Sequence, residues 1–329
     1  MAVVTNTFQS TSAKGNREEL SSVINRITPE DTPIYSLVEK ISFDTTHPEW
    51  LVDDLAAPAA NIQQEGDDYT FGATSPATRY GTYTQIMRKE GIVSGSQDAN
   101  NNVGVEQIKY QKLKKGVELK KDAEFAIVDT NAQVAGATRE FGSLNTWLTT
   151  NVSRGATGAN GGYNSGTGLT AAPTPGTQRA FTKTLLDTVM QAGYTSGANF
   201  RHCVVSPYVK SVFVTFMSDT NVASFRYAAS SGDSNSIIAN ADVYEGPFGK
   251  VMIHPNRVMA TSATQARNAF LIDPEHLSFG WFRKIKEDRD VAKTGDAQKF
   301  VLLGEGALKV HNEKGLGVVA DLFGLTAAS

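Results

Sequence analysis

Cys203 is the only thiol in this 329-residue chain. No intramolecular disulfide is possible, and no cysteine cluster offers thiolates to zinc or an iron–sulfur centre. A reducing cytosol is compatible with that composition. Charge of one sign is missing too: 31 Lys and Arg face 34 Asp and Glu, a formal −3, so nothing draws the chain to DNA or to an anionic membrane in general. No apolar run approaches 18 residues, and MAVVTNTFQSTSAKGNREEL lacks the basic start and apolar core of a secretory signal. The chain is expected neither to span a membrane nor to be exported by that route.

Catalytic and ligand-binding signatures are equally sparse. The five histidines, His47, His202, His254, His276 and His311, have no pair at i and i+4 on one helix, so each is read as standing alone and no metal ligand set is expected. His202 and Cys203 are neighbours on an expected strand and point to opposite faces, so they make no nucleophile–base pair; Cys203 is read as a small buried residue. Gly315, Gly317 and Ala320 imitate a dinucleotide fingerprint, which also needs an acidic residue about twenty positions on, and only nine residues follow Ala320 here. The glycines between Gly155 and Gly168 lack the Gly-Lys-Ser/Thr ending of a phosphate loop. Glu65, Asp67 and Asp68 are too few for a hard cation that takes six or more oxygens. They read as solvated charges or as partners of another subunit's basic groups. No catalytic residue and no cofactor is expected.

What the sequence does have is a 40% hydrophobic content, enough for a real core, and one long helical stretch. Val105 to Val128, VEQIKYQKLKKGVELKKDAEFAIV, has no proline and only Gly116, and is dominated by strong helix formers. At about 1.5 Å per residue it would reach roughly 36 Å. Val105, Ile108, Leu119, Ala123 and Ala126 fall near one line, beside Tyr110, Leu113, Val117, Ile127 and Val128, which predicts a broad apolar stripe. The rest is crowded with Lys109, Lys112, Lys114, Lys115, Lys120 and Lys121, answered by Glu106, Glu118, Asp122 and Glu124. That face is expected to stay wet, with pairs Lys120–Glu124 and Glu118–Lys121 adding a few tenths of a kcal/mol each.

Around this helix the chain changes character several times. Residues 1–16 have little to bury and read as an arm that is mobile unless a neighbour holds it. NREELSSVINRI carries Leu20, Val23, Ile24 and Ile27 at helical spacing, and Thr32–Pro33 opens a second short segment with Ile34, Leu37, Val38 and Ile41. Between Ile41 and Val93 the helical period disappears. HPEWLVDDLA and RYGTYTQIMRKEGIVSG flank an irregular middle, and Tyr80, Thr82, Thr84 and Ile86 alternate with Gly81, Tyr83 and Gln85 as in a strand. A two-stranded ribbon is marginal alone in water, so this excursion needs something to lie against, most economically a neighbouring subunit.

Beyond the helix, Phe141, Leu144, Trp147 and Leu148 form a short apolar face, and residues 155–176 read as a surface loop or subdomain border. An αβα succession follows: Phe181 to Met190, then FRHCVVS as a buried strand, then a helix opened by Ser206–Pro207 and carrying Val209, Val212, Phe213 and Phe216. Residues 228–242 are again small and polar. DVYEG, PFG and KVMIHP suggest a hairpin. AFLIDPEHLSFGWF, QKFVLLGEGALKVHNE and GLGVVADLFGL read as an antiparallel set of strands, and helices followed by strands argue an α+β fold.

The order of these parts resembles the Hong Kong 97-type major capsid proteins of tailed bacteriophages. The stretches that carry the resemblance are GNREELSSVINRITPEDTPIYSLVEK, EWLVDDLAAP with EGDDYT and GTYTQIMRKEGIVSG, the long helix GVEQIKYQKLKKGVELKKDAEFAIV, and KTGDAQKFVLLGEGALKVHNEKGLGVV. It implies an N-terminal arm (1–43), an extended loop (44–92), a peripheral domain (93–139) with a spine helix (103–129), an axial domain (140–260) and terminal strands returning to the peripheral domain (261–329). It also implies a non-enzymatic subunit of pentamers and hexamers in an icosahedral virion that encloses double-stranded DNA, assembled in the host bacterial cytoplasm. Nothing before Arg17 looks like a helical scaffolding extension, so scaffolding would be a separate chain, alongside portal and decoration proteins. Glu65, Asp67, Asp68, Arg79, Arg88 and Lys89 are the candidates for charged contacts between subunits. The rival readings are another viral structural component, such as a tail tube or decoration protein, and an α+β enzyme built on 140–260.

Overall fold

A computed structural model of the chain describes residues 28, 31–69, 71–74, 76–100, 106–214, 242–288, 290–292 and 295–324. The expected arm at 1–16, the helix expected over 17–27, Val105, Phe216 and most of 228–242 lie outside the described residues. Two sheets organise the rest. The six-stranded sheet runs Val152–Ser153, Leu316–Val319, Ala269–Ile272, His202–Val205, Gly249–Pro255, Val243–Gly246, with parallel and antiparallel pairs mixed. Ala269–Ile272 and Leu316–Val319 are buried at every position and carry no polar side chain, because both faces of the sheet are covered there. The two-residue period sends Val204, Phe270, Ile272, Leu316 and Val318 into one core and Cys203, Val205, Ala269, Leu271 and Val319 into the other.

On the second of those faces lie helices Lys183–Ser196 and Pro207–Val214, through Leu186, Val189, Met190, Val209, Val212 and Phe213. Ser206 caps the latter as expected, its Oγ accepting from Val209 N–H at 3.2 Å. The former ends at Gly197, whose φ of +91° is the left-handed turn that lets a helix stop. The expected hairpin is present as Val243–Gly246 with Gly249–Pro255.

The four-stranded sheet orders Glu39–Ser42, Leu277–Asp288, Ala297–Val310 and Gln85–Ser94. The long helix Gln107–Val128, about 33 Å at its normal rise, lies along the last two of these strands. Gly91 lets Phe300 approach the backbone, since a Cβ there would meet the ring at 2.4 Å. Two expectations change here. The closing strands are not one antiparallel set: Ala269–Ile272 and Leu316–Val319 join the six-stranded sheet, while the other two form the long hairpin of the four-stranded one. Ile41 lies in a strand and not in the short helix Pro33–Leu37.

The helix itself differs from its expected stripe. Ile108, Leu119, Ala123, Ile127 and Val128 are buried, yet Leu113 is exposed. Glu124, expected on the wet face, is fully buried. Its carboxylate accepts from Ile34 N–H at 3.0 Å, Tyr35 N–H at 2.7 Å and Asn256 Nδ2 at 2.6 Å, so it pins the first turn of helix Pro33–Leu37 against the long helix. The Lys120–Glu124 pair is thereby lost, and Glu118 pairs with Lys115 at 2.8 Å instead of Lys121.

Candidate functional site: an exposed ribbon on a fixed root

Glu49–Val52 and Thr78–Gly81 pair antiparallel, with Trp50 opposite Tyr80 and Leu51 opposite Arg79. The expected second arm, however, is two elements. Its alternation breaks at Thr82–Thr84, and Gln85–Ser94 pairs with Ala297–Val310 in the four-stranded sheet, so residues 85–92 are sheet and not excursion. Both threonines are buried.

Between Val52 and Thr78 the described residues carry no strand or helix, only a turn closed by Asp67 N–H to Gln64 O at 3.1 Å. Pro58, Gly66, Gly72 and Pro76 interrupt any period there, and Gly66 takes φ +82°. Every described residue from 53 to 79 is exposed. Leu55 (99%), Phe71 (94%), Ile62 (90%) and Tyr69 (86%) stand almost wholly in solvent. Burying a leucine, isoleucine or phenylalanine side chain is worth about 1.5–3 kcal/mol, so the tip is an unused apolar surface on a projection that has no core.

The root is the reverse. Trp50 lies 5.9 Å from Trp147 and 6.5 Å from Tyr80; Tyr80 lies 4.8 Å from Tyr163, and Tyr163 stacks on Trp147 at 5.4 Å and 3°. Tyr163 comes from the glycine-rich stretch expected to be a surface loop or subdomain border. That stretch instead forms a small ribbon, Gly162–Asn164 with Leu169–Ala171, that caps the aromatic cluster. Gln133 Nε2 donates to Gly81 O at 3.0 Å, and Thr82 N–H and Thr84 N–H donate to Pro48 O and Thr46 O at 3.1 and 3.0 Å.

Beneath these bonds sits Glu305, whose carboxylate is buried. It accepts from Thr84 Oγ1 at 2.6 Å, from Arg283 Nε at 2.8 Å and from Arg139. Burial alone would push this carboxyl up; the bonds from Arg139, Thr84 and Arg283 outweigh it and hold the group below its ordinary value. Glu124 shows the opposite balance: burial pushes it up more than its N–H donors and Lys40 pull it down.

The six residues singled out for charged contacts are not brought together. Glu65, Asp67 and Asp68 are exposed at the tip. Arg79 lies at the root and pairs with Glu49 at 2.5 Å. Lys89 pairs with Asp122 of the long helix at 2.6 Å, so its neighbour Arg88 projects from the other face of the sheet, exposed. Cys203 is buried and its thiol is pushed up to about 12 by desolvation, which removes it as a nucleophile at neutral pH. The histidines are not all isolated: His202 Nδ1 and His254 Nε2 are 2.9 Å apart. Among the described residues no group of three or more His, Cys, Asp or Glu is placed to hold a metal.

Sequence reasoning missed Glu305, the aromatic root and Glu124. For Glu124 a signal was present, since it is seven residues after Val117 and four before Val128, inside the apolar stripe. For Glu305 there was none, because Thr84 and Arg139 are distant along the chain and Arg283 reaches it only through the register of the long hairpin.

The family described as SU10 major capsid protein matches residues 3–323. Over 128 residues, 38% of this chain, the sequence is 31% identical to the major capsid protein of Escherichia phage Phieco32, and the alignment spans 36% of that relative's length. Among solved structures, the capsid asymmetric unit of cyanophage A-1(L) superposes with a TM-score of 0.63 at 12% identity, covering 95% of this chain and 98% of that one. A structure from Gordonia phage Cozz gives 0.59 at 14% identity, with 98% of each chain covered. At such identities these likenesses establish the fold, which is α+β of the Hong Kong 97 type.

Proposed function

The chain belongs to the SU10 major capsid protein family, and from that premise we propose that each subunit's exposed ribbon is completed by a neighbouring copy in a closed shell. Copies assemble in the host bacterial cytoplasm into pentamers and hexamers of an icosahedral phage head, part of the virion, that encloses double-stranded DNA without gripping its sequence. The subunit performs no reaction and needs no cofactor or membrane. Scaffolding, portal and decoration proteins are separate partners. Residues 1–43 act as an arm, the ribbon region within 44–92 as the extended loop, the long helix and four-stranded sheet as the peripheral body, and the 140–260 region as the axial one.

The single observation that supports this reading most is the ribbon tip, where Leu55, Ile62, Tyr69 and Phe71 stand exposed and without apolar cover among the described residues, while the root is firmly packed. Burial of modest patches repeated over many interfaces gives a closed lattice its stability. The acidic tip, Glu65, Asp67 and Asp68, meets basic groups of the neighbour such as Arg88, which is free to reach outward. Arg79 and Lys89 are held by Glu49 and Asp122 and contribute only if those pairs exchange.

The test is to replace residues 56–76 by a Gly-Ser turn and examine the product by negative-stain microscopy. The expected outcome is a soluble, folded subunit that forms no closed shell. Particles of normal size and closure from this variant would refute the role given to the ribbon, and turnover by the purified monomer would refute the structural role altogether.

A further inference from the structure

His202 stands on the strand His202–Val205 and His254 on its parallel neighbour Gly249–Pro255, in a register that sets Met252 beside His202 and His254 beside Val204. The two imidazoles thus share one face of the sheet, a single diagonal step apart. His202 Nδ1 lies 2.9 Å from His254 Nε2, and the ring centroids are 5.0 Å apart at 43°. Nothing in the shell-forming role uses this pair.

We propose that His202 and His254 form a binding site for a divalent transition metal of imidazole preference, zinc, nickel or copper, held by the two facing ring nitrogens with water in the remaining positions. Zinc–imidazole bonds of about 2.0–2.1 Å at a tetrahedral angle place two ligand nitrogens roughly 3.3 Å apart. The pair has to open by only about 0.4 Å to admit the ion, a small rotation of two rings already held by strand backbone.

The protonation state suits ligation. Burial is the main cause that holds both imidazoles below their ordinary value; His254 and Arg201 reinforce it at His202, and Lys210 does so at His254. Asp273 and Asp242 oppose it weakly. Both rings are therefore uncharged at neutral pH, the form that binds metal. In the metal-free pair one N–H bridges the rings; when the ion takes both lone pairs that proton moves to a far ring nitrogen, so the neutral pair binds without net proton release.

The surrounding charges are engaged elsewhere. Arg201 pairs with Glu275 at 2.8 Å and Lys210 with Asp242 at 2.6 Å, while Asp273 accepts from Asn199 N–H and Glu275 N–H. Among the described residues no third His, Cys, Asp or Glu joins the two. Two nitrogens and no carboxylate select against calcium and magnesium, which take oxygen ligands.

Equilibrium dialysis of the intact chain against NiCl2 in excess MgCl2 tests the site. One nickel per chain is expected, lost in both His202→Gln and His254→Gln and retained in His276→Gln. Absence of nickel binding by the unaltered chain, or undiminished binding by either of the first two variants, would overturn the proposal. Should those variants fail to fold, the electron paramagnetic resonance spectrum of the unaltered chain with one equivalent of Cu2+ decides. Hyperfine coupling to two nitrogens supports the site, and coupling to one or none refutes it.

Discussion

At the root of the ribbon Trp50 and Tyr80 are packed against Trp147 and Tyr163, whereas at its tip Tyr69 and Phe71 stand in water. The two ends share a hairpin and similar residue types, and differ in what lies beneath them. Under the root is a buried carboxylate answered by two arginines and a threonine, whereas every described residue of the tip is exposed. Substitutions at the root should therefore register in the isolated subunit, and substitutions at the tip only when subunits meet.

The sharpest break in that contrast would come from Trp147→Ala. Removing a fully buried indole from the aromatic root should cost about 3–5 kcal/mol, measured by urea denaturation of the unassembled subunit. Glu305→Ala comes next, at about 3 kcal/mol, because it leaves the Arg139 guanidinium largely buried without its anion. Arg283 is half exposed and can return to water, which keeps the figure at the low end of that class.

Acid should expose two separate windows. The Glu305 carboxyl is held below its ordinary 4.5, so its contribution is complete above that pH and is lost as the pH falls through the lowered folded value. His202, His254 and His311 are held below 6.5, so the unfolded chain takes up protons first and stability begins to fall as the pH drops below that point. Stability measured from pH 7.5 to 3 should show an early decline that Glu305→Gln keeps and a later one that it removes.

The smallest effects on the monomer belong to the tip. Leu55→Ser with Phe71→Ser should change subunit stability by less than about 0.5 kcal/mol while abolishing shell closure in sedimentation. Arg88→Glu should likewise leave the melting curve unchanged and weaken assembly, with rescue by Asp67→Lys if those two groups meet. A tip substitution that unfolds the monomer would erase the distinction between the two ends.

Much of this fold is readable without coordinates where a single period persists. The long helix, the buried strand at His202, the capped helix after Ser206 and the hairpin before Pro255 all follow from local spacing. What local spacing cannot carry is which sheet a strand joins. Ala269–Ile272 and Leu277–Asp288 are separated by a single turn of 3-10 helix and belong to different sheets. The Glu305 cluster and the His202–His254 pair share that origin: strand pairing sets Arg283 beside Glu305 and His202 near His254, and chain folding brings Thr84 and Arg139 to the first. The acidic tip is legible as exposed, but the partner proposed for it belongs to another copy, and one chain's sequence does not say which residues of a copy face which.

The described residues between 53 and 77 have no backbone ladder to give up on docking. In the proposed shell the contact itself then fixes this backbone, which lowers the affinity of any one contact and leaves its shape to the surface that receives it. In such a shell the same loop can then follow neighbours inclined at the steeper angle of a fivefold vertex or the shallower one of a sixfold facet. A rigid hairpin of equal length would fit one of these and strain against the other.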